Sequence, residues 1–174
     1  MSRLTVVSLR KVANRTLPIY QKIAGDAVYA TRLTQAIRSN NLNALGQLLR
    51  QATFGFNDFG TNGFGFNIGF AAPLPANQVE NAITKRGTVK PTTVSLRSIA
   101  RRLLRLLRRI AADKAFATQL VLAARKSNNL RLRALVAPLL PSGSLVAARG
   151  DSTGIVLEIK ASTGAVFVTQ FFVL

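Results

Sequence analysis

The sequence predicts an α+β protein: a tandem duplication of a helical segment followed by an antiparallel β-hairpin or meander. Three observations lead there. A segment beginning at Ser8, SLRKVANRTLPIYQKIAGDAVYATRLTQAIRS, matches one beginning at Ser95, SLRSIARRLLRLLRRIAADKAFATQLVLAARKS. In each half the apolar period changes from 3.6 to 2 part-way along. Finally, 48% of the 174 residues are hydrophobic, enough for a packed core. The repeats divide near Pro91, giving units 1–90 and 91–174.

Each unit opens with a predicted helix, residues 9–24 and 96–112. Matches along the helical segment include Leu9 with Leu96, Ala13 with Ala100, Ile23 with Ile110 and Leu33 with Leu120. Asp26 and Asp113 are good N-caps for a second helix ending near Arg38 or Lys126. An Asn-Asn pair breaks the run and caps a third, residues 42–51 and 130–137, with Pro138 and Pro141 as stops in the second unit. After a one-residue shift, Asn40-Asn41-Leu42 pairs with Asn128-Asn129-Leu130, and Ala44-Leu45 then pairs with Ala134-Leu135.

Alternating segments follow: TFGFND and GFGFNIGF in the first unit, SLVAAR, GIVLEIK and AVFVTQFFVL in the second. Turns are expected at residues 61–63, 151–154 and 161–164. The tails align with Gly63 on Gly154 and Ile68 on Ile159, and the two sheet portions can join into one continuous sheet.

The chain carries 24 Lys and Arg against six carboxylates, a net charge of +18. Such self-repulsion favours an anionic partner. With no Cys or His, thiol and imidazole chemistry, disulfides and zinc fingers are excluded. Six scattered carboxylates argue against a hard-cation site or a two-carboxylate glycosidase. No cofactor motif is present, and Tyr20, Tyr29, Lys22 and Ser95 are better explained by packing or capping than by catalysis, so an enzyme is not expected. The segment MSRLTVVSLRKV has too short and too interrupted an apolar run to be expected to act as a secretory signal. The uncharged stretch 59–79 is too rich in Gly, Asn and Pro for a membrane helix.

The helix from Leu96 is where the charge concentrates. At about 100° per residue, Leu96, Ile99, Leu103, Leu106, Leu107 and Ile110 fall on one arc, while Arg97, Arg101, Arg102, Arg105, Arg108 and Arg109 fill the opposite side. An ordinary solvated face interleaves Glu with Lys; this one sets Arg beside Arg. The matching first-unit helix keeps the apolar arc but carries only Arg10, Arg15 and Lys22. Folding therefore needs the arc and not six arginines, which marks the Arg face for a polyanion: nucleic acid, anionic lipid or an acidic cell-surface polymer. Arg suits phosphate because its planar fork donates two parallel hydrogen bonds.

In the alternating segments Phe54, Phe56, Phe64, Phe66 and Phe70 share one parity, with Gly55, Gly65 and Gly69 on the other. One reading places the phenylalanines in the core. The other makes Phe54, Phe56, Phe64, Phe66, Phe167, Phe171 and Phe172 assembly residues, with strands pairing edge to edge in a homo-oligomer. Together these features predict a non-enzymatic, self-assembling structural protein with a polyanion-binding face, of the physical type found in a virion, spore or cell envelope. The alternative is a cationic protein acting on anionic bilayers.

Overall fold

The computed structural model describes residues 2–174. Their element order is α1 (Val6–Gly25), α2 (Ala27–Arg38), α3 (Leu42–Ala52), β1 (Phe56–Thr61), β2 (Gly65–Ala71) and β3 (Gln78–Lys85). The second half runs α4 (Thr93–Ala112), α5 (Lys114–Arg125), α6 (Asn129–Val136) with a 3-10 turn Ala137–Leu139, then β4 (Leu145–Gly150), β5 (Gly154–Lys160) and β6 (Val166–Val173). The fold is α+β, as the sequence predicts. Element order and length correspond half for half: α1 and α4 each span 20 residues, and β3 and β6 each span 8.

Local chemistry explains the helix boundaries. Thr5 and Thr92 each close a capping box with the serine three residues on, Ser8 and Ser95. Asp26 ends α1 and caps α2 by accepting from the Tyr29 N–H; Asp113 does the same between α4 and α5 through Phe116. Asn41 and Asn128 cap the third helices. These caps put Asn41 opposite Asn128 with no shift, contrary to the one-residue slip expected from the Asn-Asn pairs. The buried residues agree, since Leu45 matches Leu132 and Leu49 matches Val136.

All six strands form one antiparallel sheet in the order β1-β2-β3-β6-β5-β4. The halves join at its centre, where β3 pairs with β6 and Ala82 lies opposite Gln170. The strand alignment also differs from the expected one. Gly65 and Gly154 open β2 and β5, so Gly65 rather than Gly63 is the counterpart of Gly154. Both glycines are required: a Cβ on Gly65 would collide with the Ile83 carbonyl, and one on Gly154 with the Phe171 carbonyl. Strand β3 was not expected, because its inward alternation of Val79, Asn81 and Ile83 is interrupted by a polar residue.

The helices cover one face of this sheet. Phe66, Ile68, Phe70, Val79, Ile83, Ile155, Leu157, Ile159, Phe167, Phe171 and Val173 point into one hydrophobic core with the buried arcs of α1 and α4. Helices α1 and α4 run antiparallel, since the start of each meets the end of the other through Arg10–Ala111 and Arg97–Ala24 hydrogen bonds. One polar network lies inside. The Tyr20 hydroxyl donates to Asn81 Oδ1 at 2.6 Å, and Asn81 Nδ2 donates to Thr169 Oγ1 at 3.3 Å. Burial pushes the Tyr20 phenol well above its ordinary pKa.

Candidate polyanion-binding face

Charge is sorted between the two layers. Every Lys and Arg except Lys85, Arg86, Arg149 and Lys160 lies on a helix, its cap or a loop flanking it. The helices and their caps hold only two carboxylates, Asp26 and Asp113. Asp58, Glu80 and Glu158 sit on strands, and Asp151 in a turn. Essentially the whole net charge therefore resides on the helical side.

The arc of α4 is buried as expected: Leu96, Ile99, Leu103, Leu106, Leu107 and Ile110 are each at most 2% exposed. The six opposing arginines, expected to form the polyanion-binding face together, divide into two groups. Arg97 and Arg102, at the borders of the arc, reach neighbouring elements, and Arg109 pairs with the cap of its own helix. Arg97 donates from Nε to the Ile23 carbonyl at 3.3 Å and from Nη2 to that of Ala24 at 2.9 Å. There it caps the C-terminal end of α1, where unsatisfied carbonyls and the helix dipole favour a cation. Arg102 donates to the Lys160 carbonyl at 2.6 Å, tying the end of β5 to α4. Arg109 pairs with Asp113 at 2.8 Å and lies over the Phe116 ring at 5.0 Å. The Phe116 N–H, followed by Arg109, holds the Asp113 carboxyl below the usual carboxylate range.

The other three, Arg101, Arg105 and Arg108, are exposed and carry no charged partner: among the described residues no carboxylate lies within ion-pairing distance of them. Arg101 makes only a long hydrogen bond, 3.4 Å, to the Ala24 carbonyl. At spacings of four and three residues the trio forms one ridge about 10 Å long. The matching ridge on α1 is Asn14, Pro18 and Gln21, with no charge.

Several other arginines act as carbonyl clamps that sequence patterning did not reveal. Arg10 Nη2 donates to Ala111; Arg38 donates to Pro91 at 2.9 Å, and Arg125 to Leu4 at 2.6 Å. The signal is present in the sequence alignment of the two halves, where Arg10 falls opposite Arg97 and Arg38 opposite Arg125.

The expected assembly phenylalanines also divide. Phe66, Phe167 and Phe171 are at most 3% exposed and belong to the core, so they are not contact residues. Phe56 packs against the core and edge-on to Phe59, with centroids 5.7 Å apart. Phe64 is half-buried beside the β1–β2 turn. Phe54 is 70% exposed beneath the Arg15 guanidinium, 4.0 Å from its ring centroid. Phe172 alone lies on the sheet face away from the helices. Of the strands expected to pair edge to edge, β2 and β6 are inner strands bonded on both sides, whereas β1, which carries Phe56, lies at an edge of the sheet.

The groups nearest to catalytic types have structural partners. The Tyr29 hydroxyl donates to the Leu48 carbonyl, Lys22 lies over the Tyr29 ring and Ser95 closes a capping box. The described residues bring no three carboxylates together as a cation site, and none of their helices is long and apolar enough to cross a membrane. A concavity of about 610 Å³ opens where Arg149, Asp151 and Thr153 meet Gln170 and Phe172. No protein-family model matches the chain, and neither a curated protein nor a solved structure is significantly similar to it.

Proposed function

We propose that this chain is a non-enzymatic structural protein that self-associates and holds a phosphate-bearing polyanion against its helical layer, and that its halves descend from one duplicated unit. The observation carrying the binding role is the Arg101, Arg105 and Arg108 ridge, free of acids on a layer that bears almost the entire charge. The neutral counterpart ridge on α1 supports the reading: the same helix position in the same fold does without these charges. Matching caps, clamps and strand lengths support the common descent of the halves. The bilayer reading has no comparable support, because the apolar arc that an interfacial helix would insert is packed inside the core.

The test is binding to duplex nucleic acid across a range of salt. Replacing Arg101, Arg105 and Arg108 together by Gln should leave the fold intact. It should also reduce the slope of log K against log salt by about 2.7, roughly 0.9 for each phosphate no longer neutralised. An unchanged affinity and slope would remove the ridge from the interface.

A further inference from the structure

Element order corresponds half for half, so a cluster of side chains that only one half carries is not required by the fold. The connection between α3 and β1 holds such a cluster. Phe54 is 70% exposed, with the Arg15 guanidinium 4.0 Å from its ring centroid. Arg50 lies 5.9 Å from the centroids of both Phe56 and Phe59. Among the described residues neither guanidinium pairs with a carboxylate. In the second half Ala137, Leu145 and Ala148 stand opposite Arg50, Phe56 and Phe59, and residues 137–144 include no aromatic side chain. Arg102, opposite Arg15, is spent on the Lys160 carbonyl.

Local structure holds the cluster in place. Thr53 is buried, and its hydroxyl donates to the Arg15 carbonyl at 2.7 Å, tying the connection to α1. Gly55, with a φ of +75°, then turns the chain so that Phe56 packs against the core while Phe54 stays outside. Beside Phe54 opens a concavity of about 370 Å³ with Arg50, Phe56, Asn57 and Phe59 on its walls, within the size range of small-ligand clefts. Asp58, the acid nearest in sequence, lies on the opposite face of the sheet beside Gln78. A second concavity, about 350 Å³, lies over Arg10, Lys11, Asn14 and Arg15 and reaches Ala111, one turn beyond Arg108. Basic groups thus continue from the end of the α4 ridge along α1 to Phe54.

We propose that Phe54 is a stacking platform for an unpaired nucleobase, with Arg15 and Arg50 receiving the flanking phosphates, so that the polyanion is single-stranded nucleic acid. Every base offers a flat π-face to an aromatic ring, and every phosphate suits the arginine fork. A duplex keeps its bases inside the stack and would use the arginines alone. An acidic polymer or a lipid headgroup would likewise leave the ring idle. The inference rests on the polyanion binding proposed above and names the class of polyanion.

The experiment compares binding of the full chain to oligothymidylate, to an abasic phosphodiester of equal length and charge, and to duplex, at one salt concentration and with circular dichroism as a check of folding. The wild type should bind oligothymidylate about tenfold more tightly than the abasic chain. Phe54→Ala should abolish that preference and leave affinity for the abasic chain and the duplex unchanged, whereas Phe54→Trp should keep it. The sequence has no tryptophan of its own, so fluorescence of the Phe54→Trp variant reports this position alone. Oligothymidylate should quench it and the abasic chain should not. Equal binding of the two oligomers, Phe54→Ala as tight as wild type on oligothymidylate, or unquenched fluorescence would overturn the proposal. The Arg101, Arg105 and Arg108 replacement separates this site from the ridge: it should weaken all three ligands and leave the preference for bases intact. Loss of the preference alone removes the Phe54 site and spares the ridge; a preference that persists while the ridge replacement changes nothing removes the ridge and spares Phe54.

Discussion

Arg10 and Arg97 hold each other's helices. Arg10, near the start of α1, donates to the Ala111 carbonyl at the end of α4, and Arg97, near the start of α4, donates to the Ala24 carbonyl at the end of α1, both at 2.9 Å. The two hydrogen bonds staple the central helix pair at both ends, where exposed carbonyls carry partial negative charge. Arg97→Ala should therefore cost about 1–2 kcal/mol of stability, as expected when a charged hydrogen bond at a helix terminus is removed. Chemical denaturation checks the cost. If the variant is as stable as wild type and polyanion affinity falls instead, Arg97 belongs to the binding ridge.

Leu103 tests whether the apolar arc of α4 is core. It is 1% exposed, and its counterpart on α1, Thr16, is also buried. Leu103→Asp should destabilise the protein by several kcal/mol, because no cation lies inside to meet the carboxylate. Since both halves share one core, unfolding should remove both together in a single transition. A melting curve in which half the helical signal survives would argue against that.

The two buried tyrosines set an alkaline limit. Burial pushes both phenols above their ordinary value near 10, and the Asp26 charge adds to the rise at Tyr29. Because the folded pKa lies above the unfolded one, their contribution to stability is complete below about pH 10 and declines as pH rises past it. Phenolate absorbance should appear together with loss of helical dichroism. Ionisation near pH 10 in a protein that keeps its dichroism would show that the hydroxyls reach solvent.

Gly154 offers a backbone test of the sheet. Gly154→Ala should cost about 1–3 kcal/mol through collision with the Phe171 carbonyl, and Gly65→Ala should behave alike against Ile83. Gly164, in the β5–β6 turn, has open space around it but a φ of +87°, so Ala there is strained by the backbone alone. Denaturation midpoints for the three variants separate collision from backbone strain.

Much of the architecture was legible because local signals agreed. Asp26, Asp113 and the glycine-marked turns each fix a boundary, and the arc of α4 repeats that of α1. What patterning missed had a physical cause in each case. Asn81 concealed β3 because it fills a core position by bonding Tyr20 and Thr169, so the expected apolar residue is absent. The strand alignment followed Gly63, a turn glycine with φ of +84°, when the structural counterpart of Gly154 is Gly65, held by close backbone approach. For the basic face, the helical wheel separated charged from apolar residues correctly. It could not tell that Arg97 and Arg102, near the borders of the arc, are long enough to reach carbonyls on α1 and β5.

The sheet order has a consequence for how the molecule is built. Strand β6 follows every other strand in the chain, yet it occupies an inner position between β3 and β5. Until it docks, the nascent sheet exists as two separate pieces, each baring a sticky interior strand such as Val79-Glu80-Asn81 or Ile155-Val156-Leu157. Premature termination before Val166 would thus release a species ready to clump, and ribosome-bound intermediates would be natural clients for chaperones.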